Sequence, residues 1–177
     1  MARIGFIHDK LDIKLLVLYI LSRVSAPIDF STLTDLSMCD PGVDYFEFAE
    51  AVSELAISDH LVLEDGFYSI TEKGRRNGAD CESSLSPVIR KKCDQRLLEL
   101  NAVLRRNAQV KAFVEPKDNG EFILHLSLND STGNLLTLDL LTASESQCTQ
   151  MAERFRTSPE KIYNGILSVL LVQEKGD

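Results

Sequence analysis

Tryptophan is absent from the chain, histidine occurs three times (His8, His60, His125) and cysteine four times (Cys39, Cys81, Cys93, Cys148). The cysteines are scattered, with no CxxC and no Cys/His pair at zinc-ligand spacing, so no structural metal is expected. They read as reduced packing thiols, with a redox-sensing cysteine as the alternative. GxGxxG, the phosphate-binding loop, GxSxG and HExxH are all missing. Without such a constellation neither an enzyme nor a cofactor is expected.

Long apolar runs are missing too. A membrane span needs ~20 apolar residues, and the stretch Leu11–Val24 is interrupted by Asp12, Lys14 and Arg23. No secretory signal is evident, so the expected compartment is the cytoplasm, with no membrane partner.

The shortage that matters most is local. Residues 44–62, DYFEFAEAVSELAISDHLV, carry Asp44, Glu47, Glu50, Glu54 and Asp59 but no Lys or Arg. Net charge over the 177 residues is −8. Residues 1–78 hold seven cations against thirteen anions, 79–109 six against four, and 110–177 six against ten. The segment with the most acidic balance is the first.

The chain is expected to be α+β in three parts: 1–78, a linking helix over 79–109, and 110–177. In the first part Asp12 can cap a helix over about Ile13–Val24, apolar around much of its circumference. Pro27 breaks it, a short helix over Phe30–Ser37 follows, and CDPG (39–42) turns the chain. Asp44 with Glu47 fits a capping box for a third helix, with Phe48, Val52, Leu55 and Ala56 inward. Glu47, Glu50, Ala51, Glu54 and Ser58 then face solvent, and the glutamates read as a solvated face rather than a cation site. HLVLEDGFYSIT reads as two strands about an Asp65-Gly66 turn.

Three helices and a hairpin within about 65 residues describe a winged helix-turn-helix. The segment ELAISDHLVLEDGFYSITEKG resembles the recognition-helix end and wing of bacterial winged-helix regulators, including a Thr-x-x-Gly strand exit at Thr71 to Gly74.

From Pro87 onward Ile89, Cys93, Leu97, Leu100 and Leu104 form a single apolar stripe on a long helix. The stripe either packs on the chain's own C-terminal unit or forms the seam of a homodimer. Beyond it the period drops to two: VKAFVE, EFILHLSL and NLLTLDLL are separated by KDNG and NDSTG. A three-stranded antiparallel meander is expected, with Val110, Ala112 and Val114, then Phe122, Leu124, Leu126 and Leu128, then Leu136, Leu138 and Leu140 inward. His125 points off that face, to solvent or an interface. Ser144 with Gln147 can cap one helix and Ser158-Pro159 opens another, with Ile162, Tyr163, Ile166, Leu167 and Leu170 inward. The two helices should cover the sheet.

This order of elements, with the terminal AERFRTSPEKIYNGIL, resembles a bacterial family known as a domain of unknown function. The resemblance implies a transcription-regulator role and supplies no catalytic residues. With the acidic third helix taken into account, two functions stay open. One is a dimeric DNA-binding transcriptional regulator. The acidic third helix then needs phosphate contacts from Lys73, Arg75 and Arg76 after the hairpin and from Arg90, Lys91 and Lys92, with neutral contacts from Tyr45 and Ser53. Its C-terminal unit would sense a ligand. The other is a protein–protein module whose acidic face meets a basic partner.

Overall fold

The computed structural model describes residues 5–171, with seven helices and two three-stranded antiparallel sheets among them. The chain divides into two compact units, Met1–Leu104 and Arg105–Asp177.

The N-terminal unit is built around α1 (Lys10–Arg23), whose residues from Leu15 to Leu21 are all buried. It starts earlier than the periodicity indicates. Asp9, not Asp12, is its N-cap and accepts from the Asp12 N–H at 2.9 Å, while the Asp12 carboxylate accepts from the His8 N–H at 2.9 Å. After Pro27 come β1 (Ile28–Asp29) and α2 (Phe30–Ser37), capped by Asp29. The buried Asp40 in the next turn accepts backbone N–H bonds from Phe6, Ile7 and Gly42, pinning residues 6–7 to the turn before α3 (Tyr45–Ile57).

Two strands follow, β2 (Leu61–Glu64) and β3 (Phe67–Ile70), joined through Asp65 and Gly66, both at positive φ as a two-residue hairpin turn requires. β1 adds to β3 on its other side, giving the sheet order β1-β3-β2. β1 is only two residues long and leaves no period to read.

The segment expected as a basic exit from the hairpin is a helix instead, α4 (Glu72–Asp80). Its polar, glycine-containing sequence gives little helical signal. It forms because the Thr71 hydroxyl accepts from the Gly74 N–H at 3.0 Å and because Gly74 fits flush against the His60 carbonyl. A one-turn 3-10 segment leads to α5 (Pro87–Gln109), within which the boundary of the two units falls.

The apolar stripe of α5 belongs to the N-terminal core. Ile89, Cys93 and Leu97 are buried in it and Leu100 and Leu104 pack against it. Polar bonds hold the same arrangement: Tyr19 donates to Asp94 at 2.8 Å, and the Asn101 amide donates to the Arg23 carbonyl at 2.9 Å. The expectation that this stripe covers the C-terminal unit is thus corrected, because the surface it needed lay on α1 and α2.

The C-terminal unit is the meander β4 (Val110–Pro116), β5 (Phe122–Asn129) and β6 (Asn134–Thr142), in that order. Val110, Ala112, Leu124, Leu126 and Leu128 are buried on one face. α6 (Glu145–Thr157) packs there through Cys148, Ala152 and Phe155, and α7 (Pro159–Leu171) packs on α6. Ser144 makes no side-chain cap bond. Ile162 and Tyr163 reach the core, but Leu167 and Leu170 of the expected inward stripe are exposed. Arg106 makes a bidentate ion pair with Glu160, whose carboxyl the guanidinium lowers to about 2. Among the described residues no helix is long and apolar enough to cross a membrane.

Candidate interaction face of the third helix

α3 is held at both ends by specific bonds. The Asp44 carboxylate accepts from the N–H groups of Phe46 and Glu47 at its start. At its end Asp59 takes a left-handed conformation (φ 57°), and His60 N–H reaches back to the Leu55 carbonyl at 2.9 Å. The ring of His60 is fixed between Ser58 Oγ at 2.9 Å and the Asn77 amide at 2.8 Å. The helix is therefore rigidly presented, and its outward residues define a surface.

That surface differs from the expected one. Phe48, Val52 and Leu55 are buried as their spacing predicts, but so is Ala51, which was expected in solvent. Its small side chain lets α3 lie close on α1. The helix is consequently rotated, and Glu54 turns towards α1. There it lies between Lys10 Nζ at 2.7 Å and Lys14 Nζ at 2.5 Å, with Glu50 3.3 Å from Lys10. Bonding to Lys10 and then Lys14 lowers the Glu54 carboxyl below its ordinary range, and the Glu54 bond raises Lys10 in turn. Such partly exposed pairs contribute little stability. Their effect is to neutralise one flank of the helix.

The outward line of α3 is Phe46, Glu50, Ser53 and Ile57, spaced at helical steps of four, three and four. Phe46 and Ile57 are 79% and 80% exposed. Tyr45, half-exposed, packs edge-on against Phe46 with ring centroids 5.7 Å apart. Phe46 and Ile57 are functional candidates that periodicity alone did not single out. Both lie off the inward stripe, and that was the available signal.

Most of the cations expected near this face make bonds within the N-terminal unit. Lys73 donates to the Ser58 carbonyl at the end of α3 at 2.7 Å, and Arg75 to the Ser22 carbonyl at the end of α1 at 3.3 Å. Lys92 and Arg96 donate to carbonyls of Cys39 and Asp35 at the end of α2. Cations at helix C-termini complement unsatisfied carbonyls and the helix dipole. Arg76 pairs with Glu72 and Arg90 with Glu82, while Lys91 is exposed. Lys73 to Arg76 follow β3, so they sit at the end of the hairpin away from its Asp65-Gly66 turn. Tyr45 and Ser53 are exposed on α3.

The five residues of the expected dimer seam (Ile89, Cys93, Leu97, Leu100, Leu104) are occupied by the unit's own core, as described above. Cys39 and Cys93 meet there with sulfurs 3.6 Å apart, and that hydrogen bond together with burial pushes the Cys93 thiol up. Among the described residues no group of three or more His, Cys, Asp and Glu side chains could hold a metal ion.

In the C-terminal unit His125 lies on the open face of the sheet, between Asp139 at 2.7 Å and Glu115 at 3.0 Å and stacked on Phe113. Bonding to Asp139, and then to Glu115, raises its pKa above the ordinary histidine value. With both ring nitrogens occupied by carboxylates, the group is a structural cross-strand link. A cleft of about 490 Å³ is lined by Arg106, Lys111, Phe113 and Arg156, with Arg106 committed to Glu160 and Arg156 to the Ala112 carbonyl.

No curated protein and no solved structure matches the chain. Residues 13–170 match a protein family described as "Domain of unknown function (DUF4364)". With that match covering most of its length, the chain belongs to this family.

Proposed function

We propose that residues 10–70 form a winged helix whose third helix docks onto a partner protein bearing an apolar, cationic surface, and that the chain acts as a regulator through this contact. The order α1-β1-α2-α3-β2-β3, with β3 central in the sheet, supports the winged-helix reading. The choice of partner rests on one observation: Phe46 and Ile57, 79% and 80% exposed, bracket Glu50 and Ser53 on the outward line of α3. Burying large apolar side chains drives protein association, and aromatic residues concentrate binding energy at such contacts. In a DNA major groove the apolar contact open to Phe46 and Ile57 is with thymine methyl groups, a smaller surface than a protein partner offers. Asp44 beside these two residues, with Glu50, which stays exposed although Lys10 pairs with it, favours a cationic partner.

The experiment is photo-crosslinking from a benzoylphenylalanine placed at Phe46 in the full chain. A protein adduct is expected, suppressed by Ile57→Ser and by high salt. Adducts that are indifferent to both changes, or adducts to nucleic acid, count against the proposal.

A second reading, a dimeric DNA-binding transcriptional regulator, draws support from the same element order, which is common among DNA readers. In it Tyr45 and Ser53 contact the duplex from α3, and Lys73, Arg75, Arg76, Arg90, Lys91 and Lys92 neutralise phosphates. All of these cations except the exposed Lys91 would first have to leave the helix-end carbonyls and carboxylates they now bond.

A further inference from the structure

We propose that β6 is a homodimer interface, pairing edge to edge and antiparallel with β6 of a second copy about a two-fold axis at Leu138. The proposal is independent of what α3 binds.

The two edges of the C-terminal sheet differ in kind. Edge strands invite pairing unless guarded by charge, proline or a bulge. β4 carries exposed Lys111 and Glu115 and ends in Pro116, which has no N–H to offer. β6, NLLTLDLLT, is nine residues long with no Lys, Arg or Pro. Its one charged side chain, Asp139, is already bonded to His125. The sheet's register irregularity falls at Leu128/Asn129, so β6 runs in unbroken register from Leu136 to Thr142. Among the described residues it pairs only with β5.

The occupant is argued from the strand itself. NLLTLDLLT is nearly palindromic about Leu138. Under a two-fold axis there, Leu138 faces the partner's Leu138, Leu136 faces the partner's Leu140, and Leu135 faces the partner's Leu141. Thr137 faces the partner's Asp139, so a hydroxyl meets a carboxylate and no like charges are opposed. Each contact off the axis occurs twice, as an isologous interface requires. A second copy therefore satisfies this edge at every position. It would also continue the apolar face that α6 leaves partly open at β6, where Leu136 and Leu138 are half-buried and Leu140 is 37% exposed. Leu135 and Leu141, 40% and 59% exposed on the opposite face, would gain cover from each other across the seam.

Register makes the test specific. Leu135→Lys with Leu141→Lys sets lysine against lysine twice across the seam. Leu135→Lys with Leu141→Glu sets lysine against glutamate twice, with the same number of leucines lost. Sedimentation of the full chain should show a wild-type dimer at roughly 100 µM and, in the lysine–lysine variant, affinity lower by about 100-fold or more. The lysine–glutamate variant should recover most of that loss, with circular dichroism confirming that both variants are folded. A monomeric wild type, a lysine–lysine variant that still dimerises, or a lysine–glutamate variant no better than lysine–lysine would each overturn the proposal. An unfolded lysine–lysine variant is replaced by single Leu141→Lys against Leu141→Lys with Leu135→Glu, read in the same way.

Discussion

Gly74→Ala should destabilise the N-terminal unit although it places a better helix former inside α4. A Cβ at Gly74 would stand 2.2 Å from the His60 carbonyl oxygen and 2.9 Å from Ile70 Cγ1. The carbonyl cannot swing aside, because it accepts from Thr71 N–H at 3.0 Å and from the Thr71 hydroxyl at 3.1 Å. Relief means moving α4 by about 1 Å away from the α3–β2 corner, at an overpacking cost of about 3 kcal/mol. The helix-propensity gain of alanine over glycine returns about 1 kcal/mol, leaving about 2 kcal/mol of net loss. Gly165 in α7 is the control: nothing lies within 4 Å of a Cβ there, so Gly165→Ala should stabilise its helix by up to about 1 kcal/mol. Native-state hydrogen exchange reads the two units separately. Amides of β2 and α4 that open with the whole unit should exchange roughly 30-fold faster in Gly74→Ala. Amides of α7 should exchange more slowly in Gly165→Ala. Unchanged or slower exchange in Gly74→Ala would refute the close-packing account of why a glycine stands at this position of α4.

Asp40→Ala removes the acceptor for three backbone N–H groups around the turn before α3, and a loss of about 3 kcal/mol in a urea titration is expected. Asp44→Ala should cost about 1 kcal/mol and fray the first turn of α3, visible as faster exchange at Phe46 and Glu47. His125 has a raised pKa, so its bonds to Asp139 and Glu115 contribute fully below the ordinary value and fade as pH rises through the folded one. His125→Gln should therefore lower the melting temperature more at about pH 5.5 than at about pH 8.5, and an equal or reversed effect would contradict the assignment.

Most elements follow from residue spacing. The inward stripes of α1, α3 and α5 and the alternation through β4 to β6 are all visible in the string. What spacing cannot say is which surface a stripe meets. Ile89, Cys93 and Leu97 present the same pattern whether a core, a sheet or a second chain covers them. α4 escaped notice because its helix depends on a cap and a flush contact between residues 60 and 74, not on apolar periodicity. The face of α3 came out rotated because Ala51 counts as indifferent in a pattern, yet its smallness decides how closely α1 approaches. Lysines and arginines that follow three helices and a hairpin look like phosphate ligands in sequence. In space Lys73, Arg75, Lys92 and Arg96 end on carbonyls at helix termini.

The central claim, that the front of α3 is built for a protein and not for a duplex, meets its most direct test in selection of genomic DNA fragments by the purified full chain at about 50 mM and about 200 mM salt. A protein neutralising some six phosphates would retain DNA at the lower salt and lose about 10³-fold in affinity at the higher. The account predicts no retention above background at either. Retention at low salt with that steep slope, diminished by Arg75→Ala with Arg76→Ala, would contradict it.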